Sequence, residues 1–253
     1  MANMRIENLT KRYKEKVVLD QISFTVKDGE FLSILGSSGC GKTTLLRILI
    51  GIETCDSGQI LKDGVDITKE DTKKRKMGMV FQNYALFPNM TVLQNVMYAL
   101  YIKIKKKEEA KRQSMDMLKI VGMAEHSHKY PHELSGGQQQ RVAIARALVL
   151  KPEVILFDEP MSALDADNRL VLRKELKQIQ KKLHTTMIYI THDQEEAFSL
   201  SDRVMVMHNG KIEQIDTPHV VFNKPASTYV ESFVTKHLKE KVSSIEKCAG
   251  IDL

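Results

Sequence analysis

The run Phe31-Leu32-Ser33-Ile34-Leu35-Gly36-Ser37-Ser38-Gly39-Cys40-Gly41-Lys42-Thr43-Thr44-Leu45-Leu46-Arg47-Ile48-Leu49-Ile50 reads as strand, glycine turn and helix. Its glycines let the backbone bend until successive N–H groups point inward, and the helix start adds partial positive charge. Gly36, Ser37, Ser38, Gly39, Cys40 and Gly41 therefore predict a cradle for phosphate oxygens. Lys42 would reach the β- and γ-phosphates of a nucleoside triphosphate, and the Thr43 hydroxyl would ligate Mg²⁺. A chance glycine turn would lack the flanking strand and helix.

On the N-terminal side, Met4 to Leu9, Val17 to Leu19 and Ile22 to Val26 alternate apolar and polar residues and predict antiparallel strands, with Asp28-Gly29 as a turn. Beyond the loop come a short strand or hairpin around Gly58 to Val65 and a strand over Met77 to Phe81. A helical region then runs from about Thr91 to Val121, started by Asn89-Met90-Thr91 and ended by Gly122. Val154 to Phe157 and Thr186 to Ile190 predict buried strands on either side of a helix over Asp167 to Leu183. Such alternation implies a parallel sheet covered by helices, an α/β fold. Arg203 to His208 and Lys211 to Ile215 form a hairpin through Asn209-Gly210, Pro218 to Lys236 reads as two short helices, and Lys239 to Leu253 as a poorly ordered polar tail.

The 253 residues are 42% hydrophobic and 28% charged, a composition that buries a core and excludes wholesale disorder. No stretch approaches the roughly 18 apolar residues of a spanning helix, and Met1 to Glu7 lacks the apolar core of a secretory signal, which places the chain in the cytosol. Cys40, Cys55 and Cys248 are widely spaced and predict neither a disulfide framework nor a metal site. Cys40 lies at a helix N-terminus, where a low thiol pKa would make it redox-sensitive; the plainer reading is a small residue that fits the loop. The net charge of +6 gathers in Lys73-Lys74-Arg75-Lys76 and Lys103-Ile104-Lys105-Lys106-Lys107. Both runs read as solvated helix faces, with attraction to an anionic bilayer surface as the next reading; without Trp or a stacking motif beside them, no nucleic-acid partner is expected.

Two further motifs carry chemistry. Val154-Ile155-Leu156-Phe157-Asp158-Glu159 sets two acids at the C-terminal end of a buried strand, the edge where α/β sheets bind ligands. Asp158 is positioned to hold Mg²⁺, and Glu159 to polarise an attacking water as general base. Leu134-Ser135-Gly136-Gly137-Gln138 opens a helical run, and its hydroxyl and glycine N–H groups make a second anion-binding helix start.

Taken in order, these motifs resemble the nucleotide-binding subunit of an ATP-binding cassette (ABC) transporter over about residues 4–235. The resemblance implies an α/β P-loop NTPase core with an antiparallel β subdomain and an α-helical signature subdomain at about 88–150. The nucleotide-binding domain would span 1–235, with a short polar tail over 236–253. Tyr13 matches the aromatic that stacks on adenine, Gly36 to Thr44 the Walker A loop, and Gln82 the glutamine that touches Mg²⁺ and senses the γ-phosphate. Ser135, Gly136, Gly137 and Gln138 match the signature, Asp158 and Glu159 the Walker B pair, Ser162-Ala163-Leu164-Asp165 the D-loop, and His192 the switch histidine. ATP and Mg²⁺ are then the implied ligands, with Glu159, His192 and Lys42 catalytic, Thr43, Gln82 and Asp158 at the metal, and Thr44 and Asp165 at the nucleotide. Two cassettes, as homodimer or heterodimer, would meet head to tail, each signature completing the other's site.

Phe81 to Val92, Asp216-Thr217-Pro218 and Asn223-Lys224-Pro225 are similar to importer cassettes for polyamines, ferric iron, sulfate, phosphonates and maltose-type sugars. That likeness implies a membrane permease docking near Tyr84 to Met90, an extracytoplasmic solute-binding protein, and a peripheral place on the cytoplasmic face of the cell membrane. The β-rich regulatory domain that follows in many such importers has no counterpart before Leu253. The alternatives are the ATPase of an exporter or lipoprotein-release complex, and a soluble ABC ATPase of DNA repair or translation. The last is disfavoured by one Walker A and by the lack of a long coiled coil between the Walker motifs.

Overall fold

The computed structural model describes residues 3–249. Strands β1 (Met4–Tyr13) and β2 (Lys16–Val26) pair antiparallel. The two segments expected over Val17–Leu19 and Ile22–Val26 are thus one strand; Gln21, at φ 50, marks an irregularity where the register with β1 slips. After β3 (Phe31–Gly36) and α1 (Lys42–Ile50), strands β4 (Ser57–Lys62) and β5 (Val65–Asp66) complete a sheet of order β2-β1-β4-β5.

The second sheet adds β6 (Met77–Val80), β7 (Val154–Asp158), β8 (Thr186–Thr191), β9 (Arg203–His208) and β10 (Lys211–Asp216) to β3, in the order β10-β9-β3-β8-β7-β6. Every neighbouring pair from β9 to β6 is parallel, and only β10 runs the other way. Strands β3 and β8 are buried along their whole length, which is why they read as unbroken apolar runs instead of alternating. Helix α1 and its Leu45, Leu46, Ile48 and Leu49 fill the space between the two sheets.

The single helical region expected over Thr91–Val121 is two helices, α2 (Val92–Ile104) and α3 (Lys107–Ile120), divided where Lys105 takes φ 58. Thr91 starts α2 with a reciprocal cap: its hydroxyl accepts from Gln94 N at 3.3 Å and its own N–H donates to Gln94 Oε1 at 2.8 Å. With α4 (Gly136–Leu148) they pack Val96, Leu118 and Ile144 on one side of the main sheet. Helices α5 (Ala166–Leu183) and α6 (Gln194–Leu200) make the β7–β8 and β8–β9 connections. The chain closes with α7 (Pro218–Asn223), α8 (Thr228–Val230), a π-helical turn (Glu231–Lys236) and α9 (His237–Ala249). Where polar composition predicts a poorly ordered tail from Lys239, the chain is helical through Ala249; residues 250–253 lie outside the described ones.

The basic run at 73–76 lies in a turn and not on a helix; Lys73, Lys74 and Lys76 are exposed as expected, but Arg75 is not. Arg75 is buried, donating from Nη1 to the Ile48 and Leu49 carbonyls at 2.7 and 2.8 Å, from Nη2 to Thr68 O at 2.7 Å and from Nε to Glu70 O at 2.8 Å. A guanidinium thereby satisfies the last carbonyls of α1, the end where a helix favours positive charge. Lys76 and Lys62 both pair with Glu153, and Lys74 with Glu70. Arg75→Met should lower unfolding free energy by about 3 kcal/mol, because carbonyls at the end of α1 lose their donors in a buried place. Arg75→Lys should recover less than half of that, since an ammonium cannot span the same fork; urea melts followed by circular dichroism read both.

Candidate functional site

The four adjacent parallel strands β3, β8, β7 and β6 end at one edge, and each releases a predicted site residue there. Leu35 stands opposite Thr191, Asp158 opposite Ile190, and Phe157 opposite Val80. Gly36, His192, the Asp158-Glu159 pair and Gln82 therefore emerge side by side, at the sheet edge where this fold class binds ligands.

The turn between β3 and α1 borders a cleft of about 200 Å³ lined by Val18, Ser38, Gly39, Lys42, Thr43 and Glu159, among others. Gly39 and Gly41 take φ 79 and 104, and a Cβ on Gly41 would meet the Val18 carbonyl at 2.6 Å, so both conformation and space require glycine there. Lys42 is only 5% exposed; its Nζ donates to the Gly36 and Ser37 carbonyls at 2.8 and 3.0 Å. Among the described residues no carboxylate lies within ion-pair distance of it. Cys40 is buried and burial pushes its thiol up, against the expectation of a low pKa; desolvation outweighs the Lys42 charge and the backbone hydrogen bonds at the helix start.

Thr43 Oγ1 donates to Asp158 Oδ1 at 3.1 Å. Burial pushes the Asp158 carboxyl up; the Thr43 hydrogen bond opposes this and neighbouring Glu159 adds to it. A cation between the two oxygens would offset that penalty, and both are the hard ligands Mg²⁺ takes. Among the described residues no three His, Cys, Asp or Glu side chains gather to hold a metal. The protein offers few ligands, as in Mg²⁺ sites that phosphate oxygens complete.

Glu159 takes φ 44, an uncommon conformation for a side-chain-bearing residue, fixed by its N–H donating to Ile190 O at 3.1 Å. Its carboxylate oxygen Oε2 lies 3.0 Å from His192 Nδ1, so the two candidate catalytic side chains meet directly. Ser162 joins this group: its hydroxyl donates to Glu159 O at 3.0 Å and accepts from Gln82 Nε2 at 3.2 Å, leaving the Gln82 amide oxygen for a ligand.

Tyr13 is 44% exposed, with Lys11 Nζ 5.2 Å from its ring centre. Its hydroxyl bonds Glu53, which raises its pKa most, while the nearby Thr44 side chain opposes this and sets the ring beside the start of α1. Ser135 caps α4 by accepting from Gln138 N at 3.4 Å, and its own N–H donates to Gln138 Oε1 at 3.0 Å. Neither Ser135 nor Gly136, Gly137 or Gln138 lines the phosphate-loop cleft. Asp165 caps α5, accepting from Asn168 N at 2.9 Å and Asn168 Nδ2 at 2.7 Å, and is likewise absent from that cleft.

Two residues that motif reading missed hold the loop after Gln82. Arg146 donates to the Ala85 and Tyr84 carbonyls at 2.6 and 2.9 Å. Asn95, fully buried, accepts from Phe87 N at 2.8 Å and donates to the Phe87, Met90 and Thr91 carbonyls at 3.1, 3.0 and 3.1 Å. The only sequence signal for Asn95 is a polar residue in the apolar stripe of α2.

Comparison with known proteins matches residues 19–162 to the family model described as ABC transporter. The chain is 47% identical over 228 residues to the spermidine/putrescine import ATP-binding protein of Protochlamydia amoebophila, spanning 90% of this chain and 61% of that relative. It is 45% identical over 252 residues to the Fe(3+) ions import ATP-binding protein of Fusobacterium nucleatum subsp. nucleatum, spanning 98% and 68%. Among solved structures, a dimeric ATP-binding cassette in a post-hydrolysis state bound to ADP and Pi superposes with TM-score 0.76 at 33% identity, over 85% of this chain and 98% of that one. Since the matched segment carries the phosphate loop, the helix capped by Ser135 and the Asp158-Glu159 pair, the chain belongs to the ABC transporter family.

Proposed function

We propose that this chain hydrolyses ATP to ADP and phosphate, dimerises on ATP, and powers solute import through a membrane permease from the cytoplasmic face of the membrane. The observation that carries this reading is the 3.0 Å contact of Glu159 with His192 beside the cleft of Lys42 and Thr43. Glu159 would take a proton from the attacking water, while His192 holds that carboxylate and reaches for the γ-phosphate. Lys42, a donor already desolvated, would transfer its hydrogen bonds from the loop carbonyls to phosphate oxygens as charge builds on them. Mg²⁺, held by Thr43, Asp158 and Gln82, would supply further neutralisation of phosphate charge. Tyr13 would cover the adenine.

Ser135 to Gln138 lie apart from their own chain's phosphate-loop cleft, which supports a second cassette as the owner of the site they complete. A groove of about 470 Å³ between the main sheet and α2 supports the permease reading. It is lined by Ile52, Phe81, Phe87, Tyr98, Arg146 and Leu150, and Ile52, Phe87 and Tyr98 are exposed apolar side chains suited to an amphipathic helix. It takes in Ala85 and Phe87 of the predicted Tyr84–Met90 contact. The names of the relatives favour a polyamine cargo, with ferric iron next and phosphonate or similar solutes behind; selection would rest with the permease and an extracytoplasmic solute-binding protein.

Glu159→Gln should lower ATP turnover by about 100-fold or more while nucleotide affinity stays within about twofold, and should accumulate a dimer with ATP and Mg²⁺ on size exclusion. Ordinary steady-state ATPase activity in that variant would falsify the base. Lys42→Ala should instead weaken ATP binding by about tenfold or more in calorimetry, because it removes charge-assisted bonds to phosphate. Paired Phe87→Ala and Tyr98→Ala changes should leave ATP binding intact but reduce co-purification with a co-expressed importer permease.

A further inference from the structure

Helix α2 needs one apolar stripe, and Val92, Val96 and Leu100 supply it. It has a second. Tyr98, Tyr101 and Ile102, spaced as neighbours on one helical face, are 44%, 42% and 48% exposed. Tyr98 packs edge-on against Phe87, ring centres 5.3 Å apart, so the stripe continues from the groove onto the outer surface. An amphipathic helix that must only cover a core has no need of this second face.

The stripe runs into a dense cluster of exposed positive charge. Between residues 103 and 112 stand Lys103, Lys105, Lys106, Lys107, Lys111 and Arg112 against Glu108 and Glu109 alone. All six basic side chains are exposed, and none makes an ion pair within 4.0 Å among the described residues. Lys103 makes only a 3.4 Å bond to the Leu150 carbonyl. The αL turn at Lys105 brings the end of α2 and the start of α3 to one protruding corner.

We infer that this corner is a docking surface for an anionic phospholipid bilayer. Tyrosines and an isoleucine on one helical face, flanked by lysines without carboxylate partners, match the two halves of a membrane interface. Tyr101 and Ile102 enter the headgroup layer, with Tyr98 left against Phe87 at the groove, and the ammonium groups meet lipid phosphate and the negative surface potential. A solvated basic face would carry the lysines without the apolar stripe. A nucleic-acid groove would need stacking rings interleaved with the basic residues, whereas here the rings precede them on the helix. The surface makes no use of the phosphate loop, so lipid binding and ATP turnover stand or fall separately.

Sedimentation of the purified chain with vesicles decides it. Phosphatidylcholine vesicles with about 30% phosphatidylglycerol should bind the chain at least about tenfold more tightly than phosphatidylcholine alone, and high salt should remove most of that difference. Lys105→Glu with Lys106→Glu and Lys107→Glu should abolish the preference, and Tyr101→Ser with Ile102→Ser should weaken the binding that survives high salt. ATP binding by both variants, unchanged from the parent, serves as the check that they fold. Equal binding to neutral and anionic vesicles, or undiminished binding by the Lys→Glu variant, overturns the inference. So does tighter binding to single-stranded oligonucleotide than to the anionic vesicles at equal salt.

Discussion

The Lys42 ammonium is a buried cation held by the Gly36 and Ser37 carbonyls, with Cys40 Sγ at 3.9 Å and no carboxylate within ion-pair distance among the described residues, at the positive end of a helix. Taking such a charge out of water without an ion-pair partner is unfavourable, and the helix dipole adds to the cost. Gly36, the last residue of β3, and Ser37, the first of the turn, relieve it by turning their carbonyls toward Nζ. A loop stabilised this way has strong affinity for polyanions, since phosphate oxygens meet Nζ and the loop N–H groups together. The sheet order then decides what stands around the anion, because β8, β7 and β6 place their ends beside β3 in sequence.

The local geometry of the candidate site was legible in the sequence because it is set by neighbouring residues. A phosphate loop, an acid pair ending a strand and a Ser-Gly-Gly helix cap each occupy a few consecutive residues, and the same short-range sterics and dipoles produce them in any fold. The parallel sheet was legible too, since strands buried on both faces leave unbroken apolar runs. Arg75 was not. In the sequence it is the third of four basic residues, and nothing local distinguishes it from Lys74, which is exposed. Its burial comes from the meeting of the end of α1 with the loop after β5, a tertiary event without periodicity. The polar stretch from Lys239 likewise forms α9, since a helix with few apolar residues gives a weak pattern signal.

Asn95 and Arg146 explain why the segment after Gln82 adopts a defined shape without regular structure. Tyr84 and Ala85 sit at φ 60 and 48, conformations that cost a non-glycine residue about 1–2 kcal/mol each. Arg146 compensates from α4 by binding both of their carbonyls, and Asn95 from α2 by four hydrogen bonds to Phe87, Met90 and Thr91. The loop is therefore held by the helical layer, while Gln82 at its start is bonded through Ser162 to Glu159.

This arrangement couples two parts of the molecule through one short segment. A rotation of α4 that drew Arg146 away would leave two strained residues without their donors, and the loop would relax toward other conformations. Tyr84 sharpens the dependence: a Cβ on Gly136 would stand 3.3 Å from its hydroxyl, so the loop packs against the first turn of α4 as well as its last. Ser135 caps that first turn. A displacement of the first turn of α4 would therefore press on Tyr84, the residue whose carbonyl Arg146 binds from the last turn of the same helix. The two strained residues are thus tied to α4 through Arg146, and the residues that follow them to α2 through Asn95.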